Sequence, residues 1–360
     1  MLKKLPLPLW TIALPVLAWL AYFLPLASLG GFSIAIMTVL LIGSVLSAVH
    51  HAEVVAHKVG EPFGTLILAL AVTTIEVALI VSLMLTGGPG TEELARDTVF
   101  AAVMIILTGM IGICLLVGGL KFNQQGFSFD GVKAPLVALT AIAMLTLILP
   151  NFTTSVDGPA YNITQMIFIA IICLIIYGTF ILVQTVRHRD FFLPPISPEN
   201  EDIHAAPPSK GKAMLSMLLL LTCLGIVVLL AKTLAPDIET AIVTAGAPKS
   251  LVGVIIAAVV LLPEGIAALN AARKNRLQTS LNLALGSALA TIGLTIPAVS
   301  MVSLIAGLDI TLGIDTKSMV LLLLAQFILM LSLGSGKTNI LQGVVLLTIF
   351  ASYLFTIIAP

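Results

Sequence analysis

Glu76 and Glu264 are the residues of this sequence whose type and placement could do chemistry. The chain has seventeen acidic residues. Fifteen fall in loops or near the ends of apolar stretches, and only these two lie deep inside one. An ionised carboxylate at the centre of a bilayer costs several kcal/mol unless it meets a partner or a wet cavity. Two facing carboxylates can neutralise one divalent cation or hold protons instead. Hard cations such as calcium take about six to eight oxygen ligands, mixing carboxylates with carbonyls, hydroxyls and water. Protons then compete for the same oxygens, and the pair titrates as a coupled unit. Such competition is the physical core of antiport. The plainer reading is a pair of glutamates that only hydrogen-bond helices together, a costly way to do what Ser or Asn does.

The neighbours of both acids supply oxygen. Pro263 has no amide hydrogen, so the carbonyl of Val259, four residues earlier, loses its helical donor and is free to act as a cation ligand. Thr73 and Thr74 offer hydroxyls within one turn of Glu76. Ser287, Thr291 and Thr295 recur every four residues after Glu264 and form one polar face, with Gly286, Ala290 and Gly293 as an adjacent small face. Packing, or back-bonding of these hydroxyls to their own helix, is the ordinary alternative. His50, His51, Glu53, His57, Lys58 and Glu61 cluster just before the Glu76 stretch. Their spacing suits a cytoplasmic entry point, a pH sensor or a soft-metal pocket, and a solvated helix end is the plainer reading. Gln326 stands alone in its apolar stretch. Cys114, Cys173 and Cys223 are widely spaced packing residues with no disulfide framework.

These residues need a membrane to position them. Of 360 residues, 59% are hydrophobic and 9% charged, with a mean hydropathy of +1.15. A soluble domain carries about 25% charged residues. Repeated apolar runs, each long enough to cross a ~30 Å hydrocarbon layer, explain the deficit. Eleven spans are expected, at 7–28, 31–49, 63–85, 97–119, 133–150, 163–186, 213–233, 249–271, 279–305, 316–334 and 338–358. The first is long enough to remain as a helix rather than be removed as a signal peptide. Residues 187–212, rich in proline and carrying the acidic run 199–202, read as a flexible cytoplasmic linker. Sorting the seventeen Lys and Arg residues into alternating loops places thirteen on one side and four on the other. Positive charge favours the cytoplasm, so the N-terminus is expected inside and the C-terminus outside.

The expected architecture is therefore an all-α polytopic membrane protein of about eleven transmembrane helices. It divides into a first helix (1–29), a five-helix repeat (30–186), the linker (187–212) and a second five-helix repeat (213–360). A repeated unit with an odd number of helices must insert with inverted orientation, which places an ion site near the midplane. Glu76 and Glu264 each fall in the second helix of their repeat. Zero net charge gives no basic surface for nucleic acid, and the partners are the lipid bilayer and the transported ions. A homo-oligomer is compatible with this plan. An intramembrane hydrolase would need a nucleophile with a base or a His-Glu-x-x-His motif; neither is present, and no His is expected within a span. A passive channel would more naturally repeat its filter around an oligomeric axis.

The segment Ala52-Glu53 through Gly60-Glu61-Pro62-Phe63-Gly64-Thr65, continuing to Val72-Thr73-Thr74-Ile75-Glu76, resembles the first signature helix of the calcium/proton exchangers. These belong to the cation/calcium antiporter superfamily, and the likeness is strongest to their bacterial ChaA-type branch. Gly118-Gly119-Leu120-Lys121-Phe122-Asn123-Gln124-Gln125-Gly126-Phe127 resembles the stretch after the next helix. Leu262-Pro263-Glu264-Gly265 and Gly286-Ser287-Ala288-Leu289-Ala290-Thr291-Ile292-Gly293 are similar to the paired second signature. The resemblance implies that Glu76 and Glu264 bind the cation and the proton, with alternating access around them, in a multi-pass protein of the bacterial inner membrane. It implies no cofactor, only transported Ca²⁺, Na⁺ or K⁺ and H⁺. The sequence departs from the pattern where a Gly-Asn pair usually precedes each glutamate: Val72-Thr73 stands there in the first half. Gly265 replaces a frequent His. These departures bear on selectivity among Ca²⁺, Na⁺ and K⁺.

Overall fold

A computed structural model describes residues 7–24, 31–60, 63–86, 91–193, 208–244, 246, 248 and 250–359. They form α1 (Trp10–Phe23), α2 (Gly31–Val59), α3 (Phe63–Thr86), α4 (Thr91–Met104), α5 (Ile111–Phe122), α6 (Phe129–Ala143), α7 (Ile163–Leu182), α8 (Lys210–Thr244), α9 (Ser250–Arg273), α10 (Leu277–Ala306), α11 (Thr316–Leu333) and α12 (Ile340–Ile358). Each of the eleven expected spans falls mainly on helix over its described residues. Among the described residues eight helical stretches are long and apolar enough to cross a bilayer. A ninth, α9, qualifies when its two arms, bent by 53°, are taken as one span. The remaining two correspond to shorter apolar helices, α1 and Ala69–Ser82 within α3.

Three departures from the expected plan have local causes. A π-helical turn, Ile105–Met110, joins α4 to α5, and others follow α6 (Met144–Ile148) and α7 (Val183–Arg187). Such turns interrupt the i→i−4 ladder and concentrate at functional sites. Two-residue strands, β1 (Gln125–Gly126) and β2 (Lys337–Thr338), pair antiparallel, which no alternation in the sequence announces. The linker begins later than expected: Arg189–Phe192 forms a 3₁₀ turn whose Phe192 is buried against Phe180, with ring centroids 6.0 Å apart. Asn282 on α10 donates to the Phe192 carbonyl at 2.6 Å. The acidic run 199–202 lies outside the described residues.

The chain forms two compact units, and each draws on both halves of the sequence. The first comprises 1–83 and 197–246, the second 84–196 and 247–360. In the first, α2 packs on α8 and α1 on α2. In the second, the path Glu92–Phe122 is central: 83% of its most apolar stretch is buried, against 22% for Ile340–Ile358 at the periphery. The helices α9, α10 and α12 pack around this path. Close approach of α5 to the start of α12 depends on Gly119, where a Cβ would fall 2.6 Å from the Ile340 amide nitrogen, the small-residue contact that lets membrane helices pack by dispersion.

The loops of the second unit gather into two groups. In one, Lys121 donates to the Arg273 carbonyl at 2.9 Å and Gln125 to the Ala272 carbonyl at 3.0 Å, beside the β1–β2 pair. In the other, the Thr311 amide donates to the Glu92 carbonyl at 3.1 Å, and Arg96 reaches the Gly313 carbonyl at 3.2 Å. The first group carries Lys121, Arg273, Lys274, Arg276 and Lys337, and the second carries Arg96 and Lys317.

Candidate cation and proton site

Glu264 sits on α9 just after Pro263. With no N–H at 263, the helix loses one ladder bond, and its two arms meet at 53° between Leu262 and Glu264. The bend brings a carboxylate to the interior of the second unit, where Glu264 is only 3% exposed. It accepts a hydrogen bond from the Ser287 hydroxyl of α10. Thr291 and Thr295, one and two turns further along the same side of α10, are 1% and 0% exposed. The expected polar face therefore exists and turns inward. Val259 is half-buried, one turn before the bend. Gly265 follows: a Cβ there would lie 3.5 Å from the Met110 Cε, so the π turn of Ile105–Met110 packs directly beside the acid. The small face is only partly used. A Cβ at Gly293 would crowd Tyr177 at 3.1 Å, whereas Gly286 has open space around it.

Glu76 lies on α3 in the first unit and is also 3% exposed. Thr73, three residues earlier and so on the same face, is buried at 3%. Thr74, expected beside it, is exposed and donates to its own helix at the Leu70 carbonyl, 2.7 Å away. At 100° per residue, a position two residues from Glu76 points to the opposite side. Proximity in sequence was the wrong guide there, and Thr73 is the hydroxyl that shares the acid's face.

Within the histidine cluster, His50 and His51 depart from the solvated helix end that its polarity indicates. The helix α2 runs unbroken to Val59, through a stretch long and apolar enough to cross a bilayer. His51 is fully enclosed, and its Nε2 is 3.0 Å from the Thr11 carbonyl of α1. His50 packs on Trp10, with ring centroids 5.7 Å apart. Histidines therefore do lie within an apolar span, contrary to expectation. Glu53 and His57 are exposed, and Glu61 lies outside the described residues. Among the described residues no three His, Cys, Asp or Glu side chains converge as a metal cage. Gln326 is 3% exposed, and neither polar atom of its side chain has a hydrogen-bond partner among the described residues.

Thr11 and Ser47 form a buried polar contact with His51 that the sequence reading did not single out. The signal was present in Pro15, which frees the Thr11 carbonyl by the same logic as Pro263. It went unread because no acid stands beside it.

Comparison with known proteins places this arrangement. The sodium/calcium exchanger protein family matches residues 29–186 and 215–359. A Sinorhizobium fredii protein described in general terms as an ionic transporter is 44% identical, over 98% of this chain and 97% of its own length. The sodium-potassium/proton antiporter ChaA of Escherichia coli is 36% identical, over 91% of this chain and 89% of its own. Among solved structures, native YfkE superposes with a TM-score of 0.72 at 18% identity, covering 97% of this chain and 98% of that one. The H⁺/Ca²⁺ exchanger CAX superposes with a TM-score of 0.71 at 16% identity, covering 96% and 87%. At those identities the likeness speaks for the fold. The family match spans most of the chain and both halves separately, and it falls on the helices that carry Glu76 and Glu264. This chain is a multi-pass membrane protein of the sodium/calcium exchanger family and a cation antiporter, not an enzyme.

Proposed function

We propose that this chain exchanges cytoplasmic cations for external protons, with Glu76 and Glu264 as the groups that take cation and proton in turn. The observation that carries the reading is the burial of both acids at 3% exposure in a chain where only 9% of residues are charged. A buried carboxylate stripped of both cation and proton is costly. A cycle that returns with the acids empty is therefore slow, and one that returns protonated is fast. Exchange is coupled for that reason, with no further device required. Ser287 holds one Glu264 oxygen, and Val259 offers a carbonyl one turn away. Thr291 and Thr73 are the remaining hydroxyl ligands. Alternating access around the acids, the inverted five-helix repeats 30–186 and 213–360, and an inner-membrane placement with a cytoplasmic N-terminus complete the proposal.

Two carboxylates match the charge of one divalent ion, which favours Ca²⁺ as cargo. A second reading, Na⁺ or K⁺, is favoured by a separate observation: the Escherichia coli sodium-potassium/proton antiporter is 36% identical, against 22% for the Ca²⁺/H⁺ antiporter of Bacillus subtilis. Everted membrane vesicles separate them. An imposed proton gradient is expected to collapse on addition of Ca²⁺, Na⁺ or K⁺, and the order of half-maximal concentrations ranks the cargoes. A gradient that survives all three cations removes the antiport proposal.

Pro263→Ala tests the bend. Restoring an amide at 263 re-forms the helical bond to the Val259 carbonyl and straightens α9 through the acid. The expected result is an exchange rate lower by about tenfold to 100-fold, since misplacing a site by about 1 Å costs on that order, with the folded protein at least as stable by thermal denaturation. Unchanged exchange would show that neither the carbonyl nor the bend serves the cation.

A further inference from the structure

Pro15 lies inside α1 and lacks an amide hydrogen, so the carbonyl of Thr11 has no helical donor. Two side chains of α2, one turn apart, take that place. Ser47 donates its hydroxyl to the Thr11 carbonyl, and His51 Nε2 lies 3.0 Å from it. A carbonyl only accepts, so Nε2 carries the hydrogen and the neutral ring leaves Nδ1 bare. Nδ1 is buried and has no hydrogen-bond partner among the described residues. On the α8 side, Cys223 Sγ lies 3.7 Å from the Ser47 hydroxyl. The hydroxyls of Ser44 and Ser216 are likewise enclosed and without a partner among the described residues.

The charged and titratable groups around His51 are few. The helix α1 contributes Tyr22, α2 contributes His50, Glu53, His57 and Lys58, and α8 contributes Lys210, Lys212 and Cys223. His50 stands 5.8 Å from His51, centroid to centroid. Among the described residues no carboxylate is ion-paired to either ring. A second proton on His51 would therefore place a charge among α1, α2 and α8 with, among the described residues, no acceptor at Nδ1 and no paired counter-ion.

We propose that His51 is a proton-sensitive latch that holds α1 on α2. Neutral His51 closes the Thr11 carbonyl; a second proton leaves the Nε2–H bond in place but puts an uncompensated charge on the buried ring, which loosens α1 from α2, and exchange slows as the compartment at that end acidifies. This is a proton-binding role separate from Glu76 and Glu264, and its effect on transport rests on the antiport reading.

The experiment uses the full-length protein in proteoliposomes. In a Trp19→Phe, His50→Gln background, Trp10 is the only tryptophan and no longer touches an imidazole of His50. Its emission is expected to change on acidification, and adding His51→Gln, which keeps an N–H donor but takes no second proton, is expected to abolish that change. In transport assays His51→Gln is expected to move the acid limb of the pH profile down by about one unit, a tenfold change in proton concentration, with alkaline rates within about twofold of the wild type. Ser47→Ala removes the other donor to the same carbonyl, weakens the latch and is expected to move the acid limb up. Trp10 emission that responds equally with and without His51, or a Ser47→Ala profile matching the wild type, would overturn the proposal. Absence of any cation-driven exchange would sink the antiport reading instead and leave the Trp10 measurement to decide the latch.

Discussion

Glu264→Gln is expected to reduce exchange to background while the protein still inserts and folds. Glutamine matches glutamate in shape, and its carbonyl oxygen can accept the Ser287 hydroxyl as the carboxylate does, so the helix contact survives. What disappears is the charge and the exchangeable proton together. Removing one partner of a buried ionic interaction costs about 3–5 kcal/mol, roughly a 10²- to 10⁴-fold loss in cation affinity. The protonated leg of the cycle is lost as well, because an amide has no proton to surrender. The folded protein should be no less stable, since an acid at 3% exposure has been replaced by a neutral group. Proton-gradient collapse in everted vesicles, alongside thermal stability in detergent, checks both halves. Robust exchange with normal expression would remove Glu264 from the mechanism.

The second large effect is at Glu76. Its surroundings differ from those of Glu264: no proline precedes it, and Thr73 is the hydroxyl on its face. Glu76→Gln is expected to abolish exchange as fully as Glu264→Gln, because a divalent ion needs both charges and an antiport cycle needs both acids discharged on the return leg. The comparison between the two variants carries the information. Equal loss supports a pair acting on one cargo. If Glu76→Gln kept Na⁺ or K⁺ exchange and lost only Ca²⁺, the pair would set valence while Glu264 alone carried the coupling. If it kept all exchange, Glu76 would be a structural acid. Vesicle assays with each cation in turn distinguish these outcomes.

Two further results bear on how the fold serves the site. The π turn Ile105–Met110 packs its Met110 beside Gly265, so the most enclosed helix of the second unit touches the residue next to Glu264. A helix with an interrupted ladder is a poor choice for passive scaffolding and a suitable one where helices must repack. The larger amide side chains at one end, Gln125, Gln278 and Asn282, tie separate segments to one another through hydrogen bonds of 2.6–3.0 Å, Gln278 by accepting from the Ser128 amide. They fix the end of the unit that carries most of its positive charge.

Sequence by itself determined the membrane class and the positions of the apolar stretches, and it singled out two deep acids as the candidates. Those follow from one-dimensional quantities: run length against bilayer thickness, the scarcity of charge, and the cost of a carboxylate at depth. Pro263 and the Val259 carbonyl were also legible, because a missing amide is a property of the residue and acts four positions away in the same chain. Tertiary structure alone decided what depends on angle and on partners distant in sequence. Thr73 rather than Thr74 shares a face with Glu76, because 100° per residue outweighs adjacency. Ser287 donates to Glu264 across two helices. His51 is buried because α1 folds over it and offers a proline-freed carbonyl, so a polar run that reads as solvated in sequence becomes an interhelical contact. The π turns and the β1–β2 pair left no periodic trace, since each is set by packing against segments far away in the chain rather than by the residues within it.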